Sequence, residues 1–445
     1  MLKILYLLYR LISGTRHRLR RRLTRPGMVV AGGLFVVMLT GLDPEISAAY
    51  QAFTVLLCML LVSFAFLWSF RARFSAVREL PHFGTVGSPL RYRVRLTNLT
   101  KETQGGLMLL EDTADTRPSY PEWRAVQLAD ERRLRSFRLG GRRTVSPFKV
   151  ATVKDSEVPP AGPEHEVEVP IELTPLRRGI LRFKAVTLAR PDPLGLIRAL
   201  TTISLPQNLL VLPRRYAVPM LTLPGAQKHQ EGGVAFAVSV GQSEEFVALR
   251  DYRHGDPLRH IHWRTWARAG KPVVKEFQDE FFVRHALVLD TFTDDPHNEV
   301  FEEAVSVAAS FVCTIQTQES LLDLLFVGPQ SYCLTAGRGL AHADQMLEIL
   351  ASVQPCSEQP FVALESLVLN HARMVSGCIC VLLAWDDTRR KFVEELRGFG
   401  VPVLAVVMVP RGHEGSLDPG PLRDQPERFH VIEVGQVEQG LARLN

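Results

Sequence analysis

The feature that most restricts the fold is a pair of uncharged runs near the amino terminus. Residues 28–42 form the first, fifteen long; after Asp43 and Glu45 the second covers 48–70, twenty-three long. At the α-helical rise the second reaches about 34 Å, enough for a hydrocarbon core of roughly 30 Å, and the first about 22 Å. The expectation is a two-helix transmembrane hairpin with a basic arm at 1–26 and spans at 27–42 and 48–70. The shorter span would draw in residues 24–27 or thin the bilayer locally. A secretory signal followed by one anchor fits less well: no small-residue cleavage pattern follows Leu42, and the second run is too long for an h-region.

Charge sets the expected orientation. The arm holds Lys3, Arg10, Arg16, Arg18, Arg20, Arg21, Arg22 and Arg25, and residues 1–42 contain no acid. Arg71, Arg73 and Arg78 follow the second run, whereas the loop between the runs has two acids and no base. Basic residues near span ends are retained in the cytoplasm, so a multi-pass inner-membrane protein with both termini cytoplasmic is expected. The 445 residues carry 52 basic and 47 acidic side chains, net +5; setting the eight arm residues aside leaves 44 against 47, net −3. The excess of base is therefore a topology signal rather than a nucleic-acid footprint. Leu2, Ile4, Leu5, Leu7, Leu8, Leu11 and Ile12 suit an interfacial helix ahead of the hairpin. The six cysteines, scattered through apolar segments, form no C-x-x-C pair or disulfide framework, as in a reducing compartment.

Beyond the hairpin the texture changes twice. Short alternating runs at 90–96, 165–169, 179–189 and 205–212 predict half-buried strands, and few helical stretches separate them. A β-sandwich domain of Ig-like type at 80–215 is the expectation, with a long irregular insertion inside 113–162. From 283 to 445, apolar strands at 286–290, 321–327, 378–385, 401–410 and 429–434 alternate with helices at 299–316, 343–353 and 388–399. That order predicts an α/β domain built on a mostly parallel sheet.

The segment between these domains, 216–282, holds the most distinctive chemistry. Asp256-Pro257 reads as a helix N-cap followed by proline, and Gly270 as a stop, giving a helix over 257–269. On a 3.6-residue period Leu258, Ile261, His262, Thr265 and Ala269 share one face, and Arg259, Trp263 and Trp266 the next. His260, Arg264 and Arg268 form a basic stripe, for which Glu244, Glu245, Asp251, Asp256, Glu276, Asp279 and Glu280 are nearby internal partners. His254, His260 and His262 with Asp251 and Asp256 are a poor metal set, because His260 and His262 point in different directions on a helix.

The run Arg250-Asp251-Tyr252, Gly255-Asp256, Arg259, Ile261, Trp263-Arg264, Ala267-Arg268 and Val274-Lys275-Glu276 resembles the signature of the family known as domain of unknown function 58. Arg178-Gly179, Asp192-Pro193-Leu194-Gly195-Leu196 and Val211-Leu212-Pro213 resemble further elements of it. The resemblance implies a von Willebrand factor A-like α/β domain and a partnership with MoxR-type AAA+ ATPases in the assembly or maturation of protein complexes. It thus implies a membrane-anchored cytoplasmic adaptor rather than an enzyme. Other von Willebrand factor A-domain membrane proteins are further candidate partners. Arg250, Tyr252, Gly255, Asp256, Arg259, Trp263, Arg264, Arg268, Lys275 and Glu276 are the expected interaction residues.

Asp290-Thr291-Phe292-Thr293-Asp294 stands where that fold type places D-x-S-x-S. Phe292 offers no ligating oxygen, so no cofactor is expected, and a degenerate Mg²⁺ site through Asp290, Asp294 and Asp386 is the weaker expectation. The rival to the adaptor is a metal-dependent hydrolase using Asp251, His254, Asp256 and His262. No G-x-x-x-x-G-K-[ST], H-E-x-x-H or G-x-S-x-G motif occurs to support catalysis. Nucleic-acid binding through Arg259, Arg264 and Arg268 conflicts with the net acidity of the soluble part.

Overall fold

The uncharged runs fold as helices in the computed structural model, which describes residues 2–40, 47–70, 72–114, 117–135, 149–219, 246–254, 256, 258–277, 283–295, 297–315, 320–337, 340–412 and 417–444. Helix α1 (Leu2–Arg22) leads through Leu23 and Thr24 into α2 (Arg25–Thr40), and α3 (Ser47–Ser69) follows. Within α3, Tyr50–Trp68 is long and apolar enough to cross a membrane; the apolar stretch of α2, Arg25–Leu39, is shorter. Gly33 of α2 faces Leu56 of α3.

The alternating segments pair into two sheets around one core. Strands β1 (Phe74–Glu79), β2 (Phe83–Thr85), β3 (Leu90–Asn98) and β4 (Leu107–Thr113) precede helix α4 (Tyr120–Arg135), and β5 (Ala151–Val153), β6 (Ser156–Val158), β7 (Glu166–Pro175), β8 (Gly179–Pro191) and β9 (Arg198–Leu212) follow it. One sheet has the order β1-β3-β7-β5 and the other β2-β9-β8-β4-β6; every pair is antiparallel except β2–β9. Inward residues of both sheets, among them Tyr92, Leu96, Leu109, Ile171, Phe183 and Leu209, form the shared core. The segment expected to include an irregular insertion, 113–162, contains α4, which buries Trp123 and Val126, as well as two short strands; residues 115–116 and 136–148 lie outside the described set.

Arg78 is not a flanking topology charge. It is buried between the sheets, where its guanidinium donates twice to Glu111 (3.0 and 2.7 Å) and also to the Leu205 carbonyl, and lies 4.5 Å over the Phe183 ring. Tyr92 donates to the same carboxylate at 2.9 Å; burial and Glu111 push its phenol pKa upward. A charge placed eight residues after an apolar helix reads from sequence as solvent-facing, yet the strand alternation of β1 turns it inward.

A separate two-stranded ribbon pairs β10 (Phe246–Asp251) with β11 (Val273–Phe277) around helix α5 (Trp263–Ala269). The last unit holds β12 (Val283–Leu289), α6 (Glu299–Thr314), β13 (Ser320–Val327), β14 (Ser331–Ala336), α7 (Leu340–Ser352), α8 (Val362–His371), β15 (Gly377–Leu382), α9 (Asp387–Gly398), β16 (Val403–Val409), β17 (Phe429–Glu433) and α10 (Val437–Leu441). Its sheet order is β14-β13-β12-β15-β16-β17, parallel except for β14. Strands β15 and β16 are buried along their whole length, as crossover helices on both faces require. Asn298 caps α6 by accepting from the Val300 N–H, and Asp386 caps α9 by accepting from the Arg389 N–H.

Two polar joints tie the units together. Arg178, between β7 and β8, donates to Glu302 of α6 at 2.5 Å and to the Val353 carbonyl at 2.6 Å, and lies over Phe301. Tyr216 donates to Glu303 at 2.7 Å while its backbone N–H reaches Ser310. The Asp192-Pro193-Leu194-Gly195-Leu196 turn joins β8 to β9, with Asp192 accepting from the backbone of Leu194 and Ile197. Thr24 donates into this turn, at the carbonyl of Gly195, and a methyl at Gly27 would overlap the Leu196 carbonyl. Two of the three upstream motifs are thus joints: Arg178 holds the α/β unit, and the Asp192–Leu196 turn holds the start of α2.

Candidate functional site

The signature folds as a braced platform rather than as one long helix. Asp256 was expected to cap a helix beginning at Pro257, but its carboxylate accepts both Arg250 guanidinium donors at 2.7 Å and the Arg253 backbone N–H at 2.8 Å. Arg250 and the Arg253 N–H hold the Asp256 carboxyl at about 2, well below its ordinary range. With that carboxylate committed across the ribbon, the chain makes only a 3-10 turn at Leu258–His260, and the α-helix starts at Trp263. Ile261 bridges to Val274, and the His262 N–H donates to the Val273 carbonyl, so ribbon pairing interrupts the helix. Gly270 ends α5 in the left-handed region (φ 68°), as expected of a helix stop.

The faces of this short helix differ from the sequence pattern. Ile261 is buried with Val273 and Val274, whereas Leu258 is exposed. Trp263 and Trp266 stack on each other, with centroids 5.1 Å apart and planes 19° from parallel, and Trp263 remains 63% exposed. Arg264 and Arg268 are exposed, and among the described residues neither lies within ion-pair distance of a carboxylate; of their expected partners Asp256 pairs with Arg250, and Glu244, Glu245, Asp279 and Glu280 lie outside the described residues. Lys271 pairs with Asp251 at 2.7 Å, both exposed. The Tyr252 N–H donates to the Pro272 carbonyl, and Lys275 is half-buried on β11. Gly255 and the side chains of Arg259 and Glu276 lie outside the described residues.

The hydrolase set does not converge. Asp256 is held by Arg250, Asp251 by Lys271, and the His262 ring bonds Thr265 at 2.6 Å; His254 is exposed. Among the described residues no three His, Cys, Asp or Glu side chains are grouped to hold a metal ion. A cavity of about 200 Å³ lined by Val409, Val431, Glu433, Gln439 and Arg443 contains none of the signature residues.

The carboxyl edge of the six-stranded sheet explains the fate of the degenerate ion motif. Strand β12 lies between β13 and β15; the chain passes from β12 to β13 on one side and from β15 to β16 on the other, and the carboxyl end of such a switch point is where α/β proteins usually place ligands. Asp290 lies there, fully buried, accepting from the N–H groups of Phe292 and Leu383 at 3.0 Å. The remaining positive charge is supplied by the chain: Arg389 donates to Asp290 at 2.6 Å and to Asp386 at 2.7 Å, and its guanidinium stacks 4.9 Å over Phe361. Burial works against the Arg389 charge, but Asp290 and Asp386 outweigh it and raise its pKa. Asp294 is exposed. Two of the three expected ligands therefore meet, but on a guanidinium. Phe292, in the place of a ligating serine, packs edge-on against Phe361.

Residues 248–412 match the family described as "Protein of unknown function DUF58". The uncharacterized protein YeaD of Bacillus subtilis (strain 168) is 30% identical over 184 residues, spanning 40% of this chain and 44% of that protein. The match thus spans less than half of that relative's length. Among solved structures, a FixG-related protein from Vibrio parahaemolyticus aligns over 32% of this chain and 95% of its own at 11% identity and a TM-score of 0.17. A cohesin module from Clostridium perfringens aligns over 32% and 98% at 8% identity and a TM-score of 0.16. Likenesses this distant carry no argument about fold or activity.

Proposed function

We propose that this chain, which carries a DUF58 domain, is a membrane-anchored cytoplasmic adaptor that docks a MoxR-type AAA+ ATPase during the assembly or maturation of protein complexes. The observation that carries the reading is the outer face of α5. Exposed Trp263, stacked on half-buried Trp266, stands beside two exposed arginines on a ribbon braced by the Arg250–Asp256 clamp. Tryptophan and arginine are the residues most enriched where interface energy concentrates, and a pre-braced platform loses little entropy on docking. The charge of the face favours an acidic surface on the partner.

In this reading α2 and α3 form the membrane hairpin, the two-sheet unit is the Ig-like spacer, and the α/β unit is von Willebrand factor A-like. A sheet edge whose Asp290 and Asp386 are taken by Arg389 suits a scaffold better than an ion-dependent adhesion site. Other von Willebrand factor A-domain membrane proteins are candidate further partners.

The test is affinity capture from detergent-solubilised membranes with the ATPase trapped by a non-hydrolysable nucleotide, comparing wild type with Trp263→Ala and Arg264→Glu. Wild type is expected to recover an AAA+ protein, with each variant recovering about tenfold less, the effect of an interface anchor contributing roughly 1.4 kcal/mol. Equal recovery by all three, or no AAA+ protein with wild type, would sink the adaptor reading.

A further inference from the structure

Helix α1 presents two unlike surfaces, and among the described residues only one is used inside the protein. Its inner face carries Tyr6 and Tyr9, whose rings pack against Trp123 of α4 at 5.7 and 6.2 Å; the Tyr6 hydroxyl also donates to the Pro118 carbonyl at 3.0 Å. Near its end Arg21 pairs with Asp112 of β4. The opposite face over the first three turns is Ile4, Leu5, Leu7, Leu8, Leu11 and Ile12, each about half exposed or more, with Leu11 at 66%. Scattered exposed leucines need no explanation, but six on one arc of a helix already packed on its other side form a patch that wants a cover.

The charge beside the patch identifies that cover. Arg10, Arg16, Arg18 and Arg22 accompany the patch on exposed positions of α1, and residues 1–42 contain no acid, so the face is both apolar and cationic. An apolar arc with arginines is the pattern that binds an anionic lipid surface rather than another apolar protein face. The helix also ends where α2 begins: Thr24 is fixed on the Gly195–Leu196 turn, and the Gly27 N–H donates to its hydroxyl at 3.1 Å. Resting on the reading that α2 and α3 enter the bilayer, this places the end of α1 at the lipid headgroups.

We propose that α1 lies in the lipid–water interface, its Ile4–Ile12 arc in the outer acyl layer and Arg16, Arg18 and Arg22 at anionic headgroups, with α4 bracing its inner face to the two-sheet unit. Helix α1 then fixes the two-sheet unit against the membrane.

The test uses the full-length protein in nanodiscs of phosphatidylcholine with phosphatidylglycerol. Cys58, Cys313 and Cys333 are replaced by serine, and a fluorophore is attached at Leu7→Cys, Leu11→Cys or, as a span control, Leu61→Cys. Quenching is read with aqueous iodide and with lipids carrying a nitroxide near the headgroup end or near the bilayer centre. Probes at 7 and 11 are expected to be quenched about twofold more by the shallow nitroxide than by the deep one, as for a helix buried roughly 5–10 Å, and to resist iodide. The probe at 61 should show the reverse depth order. Replacing phosphatidylglycerol with phosphatidylcholine should weaken shallow quenching at 7 and 11.

Iodide access at 7 and 11 with lipid quenching intact at 61 overturns the proposal and leaves the hairpin standing. Loss of deep quenching at 61 alone overturns the hairpin. Shielding of 7 and 11 from both iodide and lipid means a second copy covers the arc, and deeper quenching there means α1 spans; either overturns the proposal. Shallow quenching independent of the headgroup overturns the role given to the arginines.

Discussion

Replacing Arg389 by methionine should leave Asp290 as an uncompensated charge at the sheet edge. Its carboxylate is fully buried and would keep only the Phe292 and Leu383 N–H donors. Removing one partner of a buried pair costs about 3–5 kcal/mol. The contact with Asp386, whose side chain is 51% exposed, adds at most about 1 kcal/mol, and methionine regains part of the packing on Phe361. The expected loss is therefore about 3–5 kcal/mol, or roughly 6–20 °C in Tm for a unit of this size. Urea and thermal unfolding of the detergent-solubilised chain, followed by tryptophan fluorescence, measure it. The decisive comparison is the double variant Asp290→Asn with Arg389→Met. It buries no charge, so it should be about 1–3 kcal/mol more stable than Arg389→Met alone. A double variant as unstable as the sum of the singles would refute the argument that charge compensation holds this edge.

The same guanidinium predicts the response to metal: EDTA or millimolar Mg²⁺ should move the wild-type Tm by less than about 1 °C, whereas an ion at 100 times its Kd would add about 2.7 kcal/mol. Arg78→Met should cost about 3–5 kcal/mol in unfolding experiments, since Arg78 and Glu111 are both fully buried side chains, and adding Glu111→Leu should recover part of it. Burial lowers the pKa of His285, whose Nδ1 lacks a partner among the described residues, and of His430. Protonation therefore favours the unfolded chain, so stability is full above about pH 6.5 and falls as the pH drops below it; His285→Leu should flatten that limb in a series of melts. Gly27→Ala should loosen the joint at the Leu196 carbonyl, read as faster proteolysis between α1 and α2 in the wild-type detergent; unchanged cleavage would argue against the close approach.

Much of the architecture was legible because it rests on local periodicity. The strands of the α/β unit are continuous apolar runs, and each predicted run from 286 to 434 overlaps an observed strand within a few residues. Helix α6, at Glu299–Thr314, falls within the predicted helical run 299–316. The strand β14 and helix α8 were missed, as were the pairing of β10 with β11 and the helix inside 113–162, since short or polar segments take their structure from what they pack against. In the signature, sequence correctly marked Gly270 as a stop but misread Asp256, because a carboxylate before proline looks the same whether it caps a helix or binds an arginine across a ribbon.

The sequence by itself determined which segments are apolar, where strands and helices alternate, and that the basic excess is concentrated at the amino terminus. These are properties of near neighbours, written in a period of two or 3.6 residues. Only the tertiary structure decided the partners of the charges. Arg78 turned inward to Glu111, Arg250 took Asp256, and Arg389 filled the edge between Asp290 and Asp386, while Arg264 and Arg268 stayed exposed. A guanidinium pairs with whichever carboxylate folding brings within about 3 Å, and for Arg389 and Asp290 that carboxylate is 99 residues away along the chain.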